Sequence, residues 1–189
     1  MPVADDVKIQ VEFNPATVKE YRLIGYETRM LAREDFDNDR VDAGEVGAGA
    51  TVTALYEIAP VGARRSVDPL RYQQEAPAAS LGSGELAFLK VRYKRPGEAQ
   101  SQLLSRPIAP KDQAPTLAAA PAATRWAVAV AGFGQLLRKD PWLERGFSWP
   151  QVADLARGAA TPDHLGLRSE FIELVADASQ ATALNERRR

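Results

Sequence analysis

The sequence contains no cysteine and a single histidine, His164, in 189 residues. Without cysteine there are no disulfides, no thiolate nucleophile and no cysteine-ligated zinc. One histidine also falls short of the usual histidine ligand set for zinc. A Ser-His-Asp triad would need His164 as its base, yet it lies in Pro162-Asp163-His164-Leu165, in a loop leading into a helix. No G-x-S-x-G nucleophile elbow accompanies it. His164 is therefore read as a surface residue. Charge of one sign is missing too: 24 basic and 25 acidic residues leave a net charge of −1. No global basic field attracts nucleic acid or anionic lipid. The basic tail Arg187, Arg188 and Arg189 reads as a solvated end. No apolar run reaches the length of about 18 residues that spans a bilayer, and MPVADDVKIQ lacks a signal-peptide pattern. That opening enters a strand at once, as expected of a fragment of a longer chain.

What is present falls into two halves. The first alternates. Val7, Ile9, Val11 and Phe13 interleave with Lys8, Gln10 and Glu12, a strand with one apolar and one wet face that ends at Asn14-Pro15. Ala16 to Glu20 reads as a short connector, and Tyr21 to Tyr26 as a central strand. Thr51 to Ile58 is β-branched and aromatic and closes at Ala59-Pro60. Residues 61–84 read as a long loop, with Leu70 and Tyr72 docking on the sheet. Leu86 to Lys94 sends Ala87, Leu89, Val91 and Tyr93 one way and Lys90, Arg92 and Lys94 the other. Arg95-Pro96-Gly97 turns it into a hairpin with Ser101 to Ile108. The basic row is read as a solvated face that can also meet an acidic partner.

The second half begins after a Pro/Ala-rich linker, residues 109–123. Trp126, Ala129, Val130, Phe133, Leu136 and Leu137 form one helical stripe. Ser148 and Pro150 mark the start of a second helix with Val152, Leu155 and Ala156 inside. Leu167, Phe171, Leu174, Val175 and Ala178 give a third. The expected fold is α+β: residues 7–108 as an antiparallel β-sandwich or bent sheet, with a C-terminal three-helix segment, 124–184, packed on it as one domain.

Chemistry is sparse. Asp35, Asp37 and Asp39 match positions 1, 3 and 5 of a calcium loop, but Arg40 and Val46 occupy positions 6 and 12, where glycine and a bidentate acid belong. A turn is the preferred reading of this acidic stretch. The alternative is a calcium-dependent adhesive or glycan-binding β module using Asp35, Asp37, Asp39 and Asp42. Gly44, Gly47 and Gly49 do not form the phosphate fingerprint and read as a bulge near a strand start. Trp142, Phe147 and Trp149 lie between the first two helices, where they cap the bundle or, as the candidate partner-binding set, face another protein. Core packing is preferred for Trp126 and Phe133.

VKIQVEFNPATVKEYRLIGYETRMLAREDFDNDRVDAGEVGAGATVTALYEIAPVG at 7–62, VDPLRY, ELAFLKVRYKRPG, AVAVAGFGQLLR and FSWPQVADLARGA together resemble the C-terminal domain of bacterial von Willebrand factor type A proteins of the YfbK type. The resemblance covers the chain from Val7 to about Ala176. It implies a domain that follows a type A module in a protein exported to the bacterial envelope. The module's metal site uses D-x-S-x-S, whose nearest string here, Asp177-Ala178-Ser179-Gln180-Ala181, lacks the second serine, so that site does not carry over. The resemblance assigns no catalytic residue. The expectation is a non-catalytic interaction domain with no cofactor of its own, no nucleic-acid partner and the adjacent type A domain as partner.

Overall fold

The computed structural model describes residues 2–26, 30–63, 84–143, 147–159 and 163–186. The class is α+β, and the chain divides into two compact units, Met1–Gln113 and Ala114–Arg189.

In the first unit, β1 (Pro2–Phe13), β3 (Gly44–Gly47), β5 (Ala87–Lys94) and β6 (Gln102–Ile108) form an antiparallel sheet in the order β3-β1-β5-β6, and β2 (Val18–Ile24) pairs with β4 (Leu55–Pro60) in a second. The expected hairpin is present as β5–β6, with Gly97 at φ 81° in its turn. The bulge expected near the glycines is also there, as register shifts between β1 and a short β3 that the sequence reading had not counted as a strand. β2 begins earlier than expected and is not central: it has one partner in the described sheet, and Tyr21 lies exposed on it. The corner between the sheets is built by Asn14. Its carbonyl accepts from Thr17 N at 3.0 Å and Val18 N at 2.8 Å, its Oδ1 accepts from Ala16 N, and its Nδ2 donates to Glu85 O. An Asn side chain that satisfies its own turn lets the chain change sheets abruptly. The sheets meet where Phe13 stacks on Tyr21 at 4.4 Å and edges Tyr56 at 5.3 Å. The sandwich is not closed. Leu70, Tyr72 and the arginine tail lie outside the described residues.

The linker carries two 3-10 turns, Pro110–Asp112 at the end of the first unit and Leu117–Ala119 in the second, and the second unit continues with α1 (Ala122–Arg138), α2 (Trp149–Gly158) and α3 (Leu167–Glu186). Ala129, Val152, Ala153, Ala156 and Val175 form its core. The inner face of α1 is rotated from the expected stripe: Gly132 and Gln135 are buried, whereas Val130 and Leu137 are exposed. The cause is close packing. A Cβ on Gly132 would lie 2.2 Å from Phe147 Cε1, so the ring occupies the space a side chain would take. Leu167 and Leu174 likewise face out, and Phe171, Ile172 and Val175 face in. Ser148 sits at the start of α2, although its hydroxyl bonds Gln151 rather than capping the helix. Asp163 does cap: its carboxylate accepts from Arg168 N at 3.1 Å and Ser169 N at 2.9 Å.

The Gly132 contact predicts a change of sign between backgrounds. Gly132→Ala gains about 1 kcal/mol of helix propensity but suffers about 1–3 kcal/mol of overpacking, so the protein loses stability. In a Phe147→Ala background the clash is gone, and Gly132→Ala becomes stabilising. Denaturant titration of the four proteins of this cycle decides it; the same sign in both backgrounds would refute the contact.

Candidate interaction face

β1 and β5 are the centre of the larger sheet, and antiparallel partners share a face. Lys8 opposes Arg92 and Gln10 opposes Lys90 on one side; Ile9 opposes Val91, Val11 opposes Leu89 and Phe13 opposes Ala87 on the other. Period two assigns the sides correctly. At the Lys8–Ile9 end the burial is the reverse of what hydropathy suggests, Lys8 being buried and Ile9 exposed, whereas further along Ala87 is buried on the apolar side and Glu12 is exposed on the charged side.

The charged side is covered. The acidic segment after a 3-10 turn at Arg33–Asp35 folds over it, with Phe36 buried beneath Arg92. Lys8 is only 3 % exposed and donates from Nζ to the carbonyls of Asp35 and Asn38. Lys94 Nζ donates to Asp6 Oδ2 at 2.6 Å and to Asp39 O at 2.9 Å. Arg92 donates to Asp37 Oδ1 and to Ser101 Oγ, both at 2.7 Å, and lies 3.7 Å from Asp39 Oδ1. The acidic partner of the basic row is thus this chain's own loop, which is a turn, as preferred. Its carbonyls and carboxylates converge on ammonium and guanidinium groups, the seats a calcium ion would need. Asp37 and Asp39 are engaged by Arg92, the Asp35 carbonyl by Lys8, and Asp42 lies exposed beside them. Among the described residues no group of three or more Asp, Glu or His could hold a metal. Millimolar calcium is therefore expected to leave the melting temperature unchanged, since only a ligand of the folded state raises it; a clear rise would reinstate a cation site.

Asp6 has positive φ, and its Oδ1 also accepts from Ala43 N at 3.1 Å. The hydrogen bond from Lys94, then that from Ala43, holds its carboxyl below the ordinary value. Asp39 is held low first by Ser101, with Arg92 and Lys94 adding to it, and Lys94 is raised by its bond to Asp6. Carboxyls depressed in the folded state contribute stability above their unfolded value of about 3.9, and that contribution is lost as pH falls through the folded value. The first unit should accordingly weaken below about pH 4. Asp6→Asn should flatten that acid limb; an unchanged limb would show that the pair does not titrate with folding.

Among the described residues, the apolar side is open. Ile9, Val11 and Phe13 from β1, Leu89 and Val91 from β5 and Ile108 from β6 face Tyr56 and Ile58 of β4 across a groove of about 400 Å³. Ile9 remains 44 % exposed, and burial raises the Tyr56 phenol. Among the described residues, no polar side chain other than the Tyr56 phenol lines the groove. An apolar groove of this kind is a candidate contact site.

The aromatic set of the second unit is split. Phe147 and Trp149 pack on its core, Trp149 edging Phe133 at 5.8 Å, while Trp142 is 50 % exposed. His164 is exposed. Sequence reasoning missed Lys8 as an anchoring residue; its only signal was a lone lysine facing a basic row, with an acidic segment elsewhere to cover both. No helix among the described residues is long and apolar enough to cross a membrane.

No solved structure matches the chain. A protein from Escherichia coli (strain K12) described as "Uncharacterized protein YfbK" is 44% identical over 185 residues, covering 97% of this chain but 31% of that protein. The chain thus spans less than a third of the length of this curated relative. The family described as "Uncharacterized protein YfbK, C-terminal" matches residues 1–181, and the chain belongs to that family.

Proposed function

We propose that this chain is a non-catalytic accessory domain that works by protein contact, accompanying a von Willebrand factor type A domain in a bacterial envelope protein. The observation that carries the reading is the sheet's two sides at Lys8 and Ile9: the chain covers the charged side with its own loop, and among the described residues nothing covers the apolar groove at Ile9 and Ile58. Burying apolar area is favourable at roughly 25 cal/mol per Å², so an open face of this kind is completed by a partner surface. The relative's additional length and the type A resemblance both point to a neighbouring domain as that partner.

The test is calorimetric titration of this chain with a separately expressed type A domain of a YfbK-type protein, with and without magnesium. Binding that Ile9→Lys weakens supports the reading; Ile9 is exposed enough for the fold to accept lysine. Magnesium-dependent binding would tie this domain to the adhesion site, and metal-independent binding would make it a scaffold. Absence of heat in trans, together with unchanged stability when the two domains are covalently joined, would sink it.

A further inference from the structure

Asp6 lies in β1, between β3 and β5, yet it is aligned with a residue of neither. The β3 register slips between Ala4 and Val7, and the β5 register between Asp5 and Lys8. Its φ is 51°, in the left-handed region that residues other than glycine seldom adopt. A bulge of this kind re-aims a side chain, and here the carboxylate reaches two separate elements. Oδ2 accepts from Lys94 Nζ of β5, and Oδ1 accepts from Ala43 N, at the end of the acidic loop just before β3. Both members of the ion pair are mostly covered, Asp6 being 18% and Lys94 16% exposed, whereas Asp37 of the loop is 78% exposed. Water screens the Asp37 pair more than the Asp6 pair, so Asp6 is the stronger hold on the loop.

That loop has little apolar contact to fall back on. Of residues 36–43 only Phe36 is buried. The other contacts to the sheet and its hairpin turn are polar: Arg92 on Asp37 and Asp39, Lys94 on the Asp39 carbonyl, Ser101 N on Asp39 Oδ2, and Lys8 on the carbonyls of Asp35 and Asn38. Beneath the loop Lys8 stands directly opposite Arg92. Like charges so placed destabilise a sheet, and the carboxylates of Asp6, Asp37 and Asp39 offset them. Asp42 is close enough to act on Asp6 and Lys94, Asp5 is aligned with Lys94, and Glu45 of β3 is exposed. Neutralising these acids leaves Lys8, Arg92 and Lys94 covered without counter-charge. Lifting the loop rehydrates all three, and it costs the β1–β5 ladder none of its main-chain bonds.

We propose that residues 36–43 are an electrostatic strap, latched by Asp6, which acid releases while the sheet beneath stays paired. Release uncovers Lys8, Arg92 and Lys94 and the place that Phe36 fills, so the charged side of the sheet is presented in acid. The sign follows from the groups that titrate. Lys94 first, and Ser101 first, hold the carboxyls of Asp6 and Asp39 below their ordinary value. Closure is therefore kept above the unfolded value of about 3.9 and lost as pH falls through the folded one, while the cations stay charged. The device is independent of the apolar groove and its partner.

The test is amide exchange of the full chain between about pH 6 and about pH 3, on either side of the ordinary carboxyl value. Protection factors, which remove the intrinsic pH dependence of exchange, should fall about tenfold or more at the loop amides. The reporters are Val41 and Ala43, which donate to the Asn38 carbonyl and to Asp6. Gln10 and Glu12 should keep their protection. Asn14 N donates to Leu86 O, so by alternation these two amides bond β5. Asp6→Asn keeps an acceptor for Ala43 N but removes the charge facing Lys94, so its loop should be poorly protected already at the upper pH and change little below it. Should that variant not fold, Asp39→Asn takes its place. Glu12→Gln, at an exposed carboxylate of the same strand, should leave the acid step where it is. Loop and ladder losing protection at the same pH would make the change global unfolding and overturn the proposal. Loop protection that persists in acid, or an acid step retained unaltered in Asp6→Asn, would overturn it too.

Discussion

Lys8→Met is expected to cost about 2–3 kcal/mol, because each buried carbonyl left without a donor costs about 1–3 kcal/mol. Methionine keeps the unbranched stem and the strand, so the loss isolates the ammonium. Two acceptors, Asp35 O and Asn38 O, lose a donor that water reaches poorly at a residue 3 % exposed. The damage should be local in the first instance. Amides of residues 36–43 should exchange faster before the β1–β5 ladder does, since the loop is held to the sheet by Lys8, Arg92 and Lys94. Lys111→Met, at an exposed residue, serves as control and should stay within about 0.5 kcal/mol of the parent. Equal stability of Lys8→Met and the control would show that the loop does not depend on this anchor.

Phe171→Ala is expected to cost about 3 kcal/mol, the lower end for a phenylalanine truncation because the ring is half-buried. Phe171 ties the helices together: its ring edges Trp126 at 5.2 Å and Phe133 at 5.3 Å, both on α1. Its removal takes away two edge-to-face pairs as well as apolar burial. The readout is unusually direct. All three tryptophans of the chain, Trp126, Trp142 and Trp149, lie in the second unit. Tryptophan fluorescence during denaturant unfolding therefore follows that unit, and its midpoint should fall, while β1 and β5 amides of the first unit keep their protection. A tryptophan transition that does not move would contradict the packing described for α1 and α3.

The two mutations also show where sequence was informative. The β5–β6 hairpin was legible because its signals are local: alternation on both strands and an Arg95-Pro96-Gly97 turn between them. The side on which each β1 residue lies was legible for the same reason. Which side is covered was not, because that depends on a contact between β1 and a loop about thirty residues away, formed by backbone carbonyls that carry no residue-specific signal. Lys8 therefore looked like a solvated residue. The helices were legible as elements, and their facing was less so. Hydropathy draws Val130 and Leu137 inwards, but close helix contact favours the residue with no side chain, Gly132, and admits Phe147 over it. The candidate aromatic set failed to hold together for that reason: Phe147 was needed inside. β3 escaped notice because glycine-rich segments have low strand propensity and this one is recruited by pairing with β1.

The strand order of the larger sheet has a kinetic consequence. β1 lies between β3 and β5, both of which are made later, and Phe13 is aligned with Ala87. Among the described residues, the only sheet neighbours that also follow each other in the chain are β5 and β6. A nascent chain that has not reached β5 holds Ile9, Val11 and Phe13 without their ladder partner, and the later pairing must close a long loop, which slows folding. The β5–β6 hairpin is then the natural seed, and β1, although made before β3, β5 and β6, is among the last strands of this sheet to be locked in place.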